Sequence, residues 1–237
     1  MKIFITLILL LLNFSVLSLE ANLAVEDSWP PYSDKLGKGI ATNIVGAAFN
    51  EVSIPVKITV FPYIRALRTV SNGELDGCYS VTKQESTQKQ YHFGNEPILK
   101  SQASFFHHAD YDFKFKNISE IPNGTSLVLI RGYEYGNNFE KYKKNFKIFY
   151  VNTQEQIISM IVTKRVSLTI MFDEVAKYYL RKNPRANEVK KAIPNHMSDI
   201  YVAFNLQSPK SKLLASKLDE GIRKLKASGK YEMLLRF

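Results

Sequence analysis

The fold of this chain can be predicted from one stretch, Pro62-Tyr-Ile-Arg-Ala-Leu-Arg-Thr-Val-Ser-Asn-Gly-Glu-Leu-Asp-Gly-Cys-Tyr-Ser80. Ile64, Leu67 and Val70 recur at the spacing of one buried helical face, so this stretch is expected to begin with a short amphipathic helix. Gly73 supplies the left-handed residue with which many helices end. The apolar residues that follow it predict a strand. A helix that folds back onto a strand in this way is typical of α/β proteins.

The same order of elements is predicted twice along the chain. The first copy has strands at residues 22–25, 56–61 and 75–81, with helices at 41–52 and from residue 62 between them. The second copy has strands at 126–130, 146–151 and 166–172, with helices opening at 132–136 and spanning 153–164. Alternating strands and helices favour parallel sheets, whose ligand sites lie beyond the carboxyl ends of the strands. Two α/β lobes of one design are therefore expected; the alternative is a single continuous sheet with a coincidental repeat.

Two extended segments are predicted to connect the lobes. They are residues 102–107 and 200–204, and together they would form a hinge of two segments. Lobe 1 is predicted to comprise residues 19–104 and 200–237, and lobe 2 residues 105–199. The C-terminal residues from 211 onward carry an apolar helical face, which is expected to pack on lobe 1.

The first 18 residues are typical of a cleaved secretory signal peptide. Lys2 precedes an apolar run from Ile3 to Leu12, and smaller residues follow up to Ser18. The alternative is a membrane anchor, but the apolar run is shorter than the ~20 residues that a spanning helix needs. A periplasmic protein without stable membrane insertion is therefore predicted, and a monomer is expected.

Charge and cysteine content narrow the function classes. The chain has 32 basic and 22 acidic residues, but the lysines are spread along it rather than clustered, so a nucleic-acid partner is not expected. Cys78 is the only cysteine, which excludes an intramolecular disulfide. In a predicted strand it is expected to act as a small buried hydrophobe rather than as a nucleophile.

Several motifs together resemble one protein family. They are Trp29-Pro-Pro-Tyr32, Gly73-Glu-Leu-Asp-Gly77, Gly132-Tyr-Glu-Tyr-Gly136, Arg165-Val-Ser167 and Lys224-Leu-Lys-Ala-Ser-Gly-Lys-Tyr231. In this order the chain resembles the bacterial extracellular solute-binding proteins of family 3, over essentially all of its length after the signal peptide. The resemblance implies a periplasmic binding protein-like fold of type II, with two α/β lobes closing on a small solute. It also implies an amino-acid-like ligand and delivery to an inner-membrane ABC importer or to a sensor.

One position departs from the family pattern. After the Leu-Asp-Gly strand, amino-acid-binding members usually carry an arginine that pairs with the ligand's carboxylate. Here that position falls near Thr87, and no arginine occurs between Arg68 and Arg131. Lys83 or Lys89 would be an imperfect substitute, because an ammonium group is a point charge and not a planar fork. The departure puts a standard α-amino acid in doubt as the ligand.

Candidate ligand-binding residues follow from the predicted strand ends and from the resemblance. A cleft for a small solute needs aromatic walls and a few oriented polar groups. Each candidate has a structural alternative: an aromatic wedge for Trp29, an ordinary strand for Tyr79, a plain turn for Gly132, a helix cap for Asp173, a solvated surface for Arg65. The candidates are Glu26, Trp29, Tyr32, Arg65, Tyr79, Ser80, Thr82, Gly132, Tyr133, Tyr135 and Asp173.

Catalytic and metal-binding patterns are not found in the sequence. The four histidines lack metal-ligand spacing, and the usual motifs of nucleotide hydrolysis, serine hydrolysis and zinc proteolysis do not occur. We therefore expect a binding protein with no cofactor and no metal, not an enzyme. Two alternatives stay open: a periplasmic lyase or dehydratase on the same scaffold, and an interaction module that has lost ligand binding. A cleft filled by the protein's own aromatic side chains would favour the interaction module.

Overall fold

Residues 19–236 are described here from a computed structural model; the predicted signal peptide lies outside these residues. The strands are β1 Ala21–Glu26, β2 Val56–Phe61, β3 Gly77–Thr82, β4 Tyr91–Phe93, β5 Leu99–His108, β6 Ser126–Ile130, β7 Lys147–Val151, β8 Leu168–Phe172 and β9 Val189–Asn205. The α-helices are α1 Ile40–Asn50, α2 Tyr63–Ser71, α3 Glu85–Gln88, α4 Asn137–Tyr142, α5 Gln154–Val162, α6 Asp173–Leu180, α7 Ser211–Ala227 and α8 Lys230–Leu234.

The strand order shows two lobes of one design. Hydrogen-bonded neighbours run β2-β1-β3-β9-β5-β8-β6-β7, and β4 pairs with β9 at the side. The triplet β2-β1-β3 is repeated as β7-β6-β8, in both cases with parallel pairing. In each triplet the first strand of the copy lies in the middle, and helices connect the strands that follow one another along the chain. The predicted two-lobed α/β fold is thus confirmed. We call the β1–β4 side the first lobe and the β6–β8 side the second lobe.

The lobes are joined by two long antiparallel strands, β5 and β9. Their pairing runs from Leu99 opposite Ile200 to His108 opposite Val189, with irregular register at Ala103 and Ser104. β9 begins at Val189, eleven residues before the predicted crossing segment at 200. Its first half carries polar residues and Pro194, which sequence patterns assign to loops. These crossing strands therefore form the two-segment hinge.

The buried face of α2 differs from the predicted one. Tyr63, Ala66 and Val70 are buried, whereas Ile64 is 46% exposed. The face is rotated because the Tyr63 ring packs inward and its hydroxyl reaches a carboxylate of the second lobe, Glu134. The predicted face therefore holds for Val70 and in part for the half-buried Leu67, but not for Ile64.

The C-terminal helices pack on the first lobe as expected. Gly221 of α7 lies against the backbone of α1 at Ala48. The Tyr231 hydroxyl donates to the Ile98 carbonyl over 2.9 Å, and Asp219 accepts hydrogen bonds from two backbone amides before β5. None of the helices within residues 19–236 is long and apolar enough to cross a membrane.

Candidate functional site

A small cavity lies where the two lobes meet. The first lobe contributes the carboxyl ends of β1 and β3 and the start of α2, and the second lobe contributes the end of β8 and the loop after β6. The space open to the centre of a water molecule is about 10 Å³, roughly the room that one water needs. The side chains of both lobes therefore close over the cleft. The cavity is lined by Glu26, Trp29, Tyr63, Ser80, Thr82, Tyr133, Glu134 and Phe172.

Glu26 is a buried carboxylate at the last position of β1. Only 2% of the residue is exposed, and its carboxylate accepts hydrogen bonds from the Tyr133 hydroxyl of the second lobe and, over 3.4 Å, from Ser28. Burial raises its pKa to about 8, although the bond from Tyr133 works in the opposite direction and Asp27 adds to the rise. The group is therefore largely protonated at neutral pH.

Glu134 is a second carboxylate in the same cavity, contributed by the other lobe. The Tyr63 hydroxyl donates to it over 2.6 Å, so this bond and the Tyr133–Glu26 bond cross the cleft in opposite directions. Burial also raises the pKa of Glu134, to about 7. Among residues 19–236, no lysine, arginine or histidine forms an ion pair with either carboxylate. The cavity thus has two acidic groups and no basic one in its lining.

Aromatic rings form the walls of the cavity. Trp29 meets Phe172 edge to face with ring centres 5.1 Å apart, and Tyr63 meets Tyr133 in the same manner at 5.1 Å. Both pairs join the first lobe to the second. Tyr32 supports Trp29 from behind at 4.2 Å, and its hydroxyl lies 3.1 Å from that of Ser101. These contacts fix the orientation of the Trp29 ring.

Ser80 is held in a strained backbone conformation at the cavity. Its φ is +71°, and it has no partner on β9 because the register shifts between Tyr79 and Val81. Such a bulge redirects a side chain, and strained residues of this kind cluster at functional sites. The Ser80 hydroxyl is buried and has no hydrogen-bond partner among the described residues, and the same holds for Nε1 of Trp29.

A wide depression of about 1210 Å³ opens outside the cavity, between α2 and α3 of the first lobe and the Arg131–Lys143 segment of the second. The charged residues on its walls are Arg68, Lys89, Arg131, Lys141 and Lys143 together with Glu85, Glu140 and Glu134, which also lines the inner cavity. A second depression of about 390 Å³, on the side of α6, includes Asp27, Asp34 and Glu155. The second depression also includes Lys35 and Lys182, so charged residues of both signs border each depression.

The structure brings five of the candidate residues from the sequence together. Glu26, Trp29, Ser80, Thr82 and Tyr133 all line the cavity. Thr82 lies with its hydroxyl 3.4 Å from that of Ser198. The first-lobe residues converge because the carboxyl ends of β1 and β3 meet at one edge of that lobe, and Tyr133 reaches them from the loop after β6.

Other candidates lie behind the cavity wall. Tyr32 supports Trp29, and Tyr79 points to α1, where its hydroxyl meets Thr42 at 2.9 Å. Tyr135 is buried in the core and its hydroxyl accepts a bond from the Ile130 amide over 2.8 Å. Gly132 lies against Ile64 at the interface of the lobes. The predicted helix opening at 132 begins later, since α4 starts at Asn137.

Two of the three charged candidates, Arg65 and Asp173, lie outside the cavity. Arg65 is exposed, with its guanidinium 5.1 Å from the centre of the Phe61 ring. Asp173 is the first residue of α6 and forms an ion pair with Lys191 at 2.6 Å.

The position of the missing arginine has a structural role. Thr87 is buried, and its hydroxyl donates to the Thr82 carbonyl over 2.8 Å while it accepts from the Gln84 amide. Lys83 points away, to the Gly94 carbonyl and the Tyr201 ring, and Lys89 is exposed at the outer depression. No cation therefore replaces the arginine in the cavity lining.

Three lining residues were not predicted from the sequence: Tyr63, Glu134 and Phe172. Phe172 and Glu134 adjoin predicted residues, so the strand-end rule applied to every neighbouring side chain would have included them. Tyr63 lies outside the predicted apolar face of α2, and the rotation of that face places it in the cleft.

Comparison with known proteins identifies the family. The sequence profile of the bacterial extracellular solute-binding proteins, family 3, matches residues 21–236. The chain belongs to this family. No curated protein sequence matches it significantly.

Solved structures resemble this family member in fold at low sequence identity. An arginine 3rd transport system periplasmic binding protein from Legionella pneumophila is 16% identical, with a TM-score of 0.76, and 92% of this chain and 98% of that chain are covered. A histidine kinase sensor domain similar to periplasmic binding proteins is 16% identical with a TM-score of 0.76, covering 91% and 93%. The ancestral amino acid-binding protein AncCDT-1, a precursor of cyclohexadienyl dehydratase, is 17% identical with a TM-score of 0.70, covering 90% and 93%.

Proposed function

We propose that this family member is a periplasmic receptor that captures one small polar solute between its lobes. It would hand the solute to an inner-membrane ABC importer or present it to a sensor, since a transport-system protein and a sensor domain both share its fold. We propose that it acts as a monomer, with lobe 1 at residues 19–104 and 200–237 and lobe 2 at residues 105–199.

One observation carries this proposal. Polar groups of both lobes meet inside a closed cleft: Tyr63 of the first lobe bonds Glu134 of the second, and Tyr133 of the second bonds Glu26 of the first. Contacts to both lobes give a ligand a higher affinity for the closed form, so that binding shifts the population toward it. β5 and β9 supply the hinge for this motion.

The filled cleft also bears on the alternative of an interaction module without a ligand. Aromatic rings do fill most of the space, as that alternative requires. Glu26 is a buried carboxyl group and Glu134 a half-buried one, and placing both in the cleft without a cation is unfavourable in a module that binds nothing there. The acidic lining therefore favours a binding site.

A second candidate is a lyase or dehydratase, and a specific observation favours it. Two carboxyl groups with pKa values of about 8 and about 7 have the range that general acid–base catalysis needs near neutral pH. Turnover without an added cofactor, lost in Glu26→Gln or Glu134→Gln, would support this candidate over a receptor.

The proposed function is tested by native mass spectrometry and X-ray scattering. Protein purified from a periplasmic extract without denaturation is expected to carry one small molecule, and removing it should increase the radius of gyration. Adding the identified molecule back should restore the compact form. Protein that carries no small molecule, and whose radius does not change with any solute of the extract, would contradict the receptor.

A further inference from the structure

We propose that the solute bound in this cleft is a small organic cation that carries a primary ammonium group and no carboxylate. This inference rests on the proposed function and specifies its ligand class. It is carried by the charge, the walls and the unpartnered polar groups of the cavity lined by Glu26, Tyr63, Glu134 and Tyr133.

The two carboxyl groups that meet in the cavity favour a cationic ligand, because a bound ammonium group stabilises their ionised form. Glu26 and Glu134 face the cavity from opposite lobes, and tyrosine hydroxyls are the main hydrogen-bond donors to their carboxylates. Buried carboxylates are normally paired with a cation or else stay protonated. A ligand ammonium placed between them would supply the positive charge that the described side chains do not, and would link the two lobes.

The aromatic walls suit the same ligand. A cation near the face of a tryptophan or tyrosine ring is attracted by the negative charge density of that face. Trp29, Tyr63, Tyr133 and Phe172 enclose the cavity in two edge-to-face pairs. Carboxylates combined with aromatic faces thus favour an ammonium head on a short apolar stem.

Ser80 gives an observation that is independent of the acidic pair. Its hydroxyl is buried, lines the same cavity and lacks a partner among residues 19–236, and the strained bulge turns it there. A primary ammonium has three N–H donors, and Ser80 offers an acceptor in addition to the two carboxylates. The unpartnered Nε1–H of Trp29 is a donor, which suits a hydroxyl oxygen on the ligand.

A carboxylate on the ligand would meet the wrong environment. The arginine position of the family is occupied by Thr87, whose hydroxyl is engaged in backbone bonds, and Lys83 points elsewhere. Inside the cavity a ligand carboxylate would face Glu26 and Glu134, which repel it when they are ionised. The cleft therefore discriminates against zwitterions and anions at the pH values at which Glu26 and Glu134 are ionised.

Calorimetric titration at pH 8 with matched probes tests the ligand class. Ethanolamine differs from L-serine, and 1,4-diaminobutane from L-ornithine, by one carboxylate; ethylene glycol and glycolate are the neutral and anionic counterparts of ethanolamine. We expect at least one of the two amines to bind, and to bind about tenfold or more tightly than its carboxylated partner. Binding of serine, ornithine or glycolate in preference to the amines would overturn the cation class and leave the receptor function standing.

Variants locate the binding in the cleft. Glu26→Gln and Glu134→Gln keep the shape of the side chain and should each weaken amine binding about tenfold or more, because a charge-assisted hydrogen bond is lost. Glu140→Gln, at an exposed residue paired with Lys143, is the matched control and should bind as the unchanged protein does. Circular dichroism verifies that each variant is folded.

Two results contradict the proposal. Equal amine affinity in both cleft variants and the control would show that the cation does not bind between the carboxylates. Absence of binding for both amines would also reject it, and the molecule that co-purifies with the protein then shows independently whether the receptor function holds.

Discussion

The hydroxyl of Tyr63 in the first lobe donates a hydrogen bond of 2.6 Å to the carboxylate of Glu134 in the second lobe. The bond links the first turn of α2 to the loop after β6, so it exists only when the cleft is closed. Tyr133 and Glu26 form the reciprocal bond. The closed form is therefore stabilised by two contacts of the same kind that run in opposite directions.

Tyr63→Phe is expected to shift the free protein toward the open form. The variant removes one hydrogen bond to a carboxylate, and such bonds contribute about 1.5–3 kcal/mol. The radius of gyration from X-ray scattering should increase relative to the unchanged protein. Tyr91→Phe is the control, because the Tyr91 hydroxyl bonds the Leu67 carbonyl within the first lobe. An equal radius for the two variants would show that the Tyr63 bond does not hold the cleft closed.

The stability of the free protein is expected to fall as the pH rises from 6.5 to 8.5. Glu26 and Glu134 have folded pKa values of about 8 and about 7, above the ordinary 4.5, so the folded state binds more protons than the unfolded chain in this range. Their stabilisation is complete below the unfolded pKa and is lost as the pH passes through the folded values. The slope should not exceed about 1.4 kcal/mol per pH unit for each group.

Urea unfolding at several pH values measures this slope. His196 has a pKa lowered to about 4 by burial and acts in the opposite direction, but only below its ordinary value of 6.5. Glu26→Gln combined with Glu134→Gln should flatten the curve above pH 6.5, while Glu140→Gln should keep it. A double variant with an unchanged slope would assign the effect to other groups.

The fold could be predicted from the sequence because its information is local. Alternating strands and helices, the capping box at Thr153 and the glycine after α2 each specify their element within a few residues. The crossing strand β9 was only partly predicted, since its first half is stabilised by pairing with β5 rather than by its own composition. Pairing between distant segments leaves little trace in a local pattern.

The candidate site could be predicted only in part. Glu26 and Ser80 follow from the rule that ligands lie beyond strand ends. Tyr63 and Glu134 come together only when the lobes close, across a sequence separation of 71 residues. Arg65 is a candidate from the sequence because the family's arginine is missing, but it lies on the exposed face of α2. The local sequence pattern therefore does not show which side of α2 faces the cleft.

Gly132→Ala is expected to disturb the contact between the lobes. Gly132 has a φ of +83°, and a Cβ added there would lie 2.6 Å from Cγ1 of Ile64 in the opposite lobe. Gly124 is a matched control, since its φ is +82° and no atom lies within 4 Å of an added Cβ. Both variants should lose about 1–2 kcal/mol to the left-handed backbone.

Only Gly132→Ala should also enlarge the radius of gyration. The added methyl group must displace Ile64 or separate the lobes, and overpacking of this kind costs about 1–3 kcal/mol. Combining it with Ile64→Ala should return the radius to that of Gly124→Ala. An equally compact Gly132→Ala protein would show that Ile64 moves aside without opening the cleft.

Two glycines of the packed pair α1 and α7 should respond to alanine in opposite ways. A Cβ on Gly221 of α7 would lie within 2.6 Å of the Ala48 carbonyl carbon, in the rigid backbone of α1, whereas nothing lies within 4 Å of a Cβ on Gly46. Gly46→Ala should therefore stabilise the protein by about 0.5–1 kcal/mol, because alanine favours a helix interior over glycine. Gly221→Ala should destabilise it by at least about 1–3 kcal/mol, because α7 must move away from α1. Thermal unfolding of the two variants measures both signs, and a Gly221→Ala protein as stable as the unchanged one would show that the helices are not held at this distance.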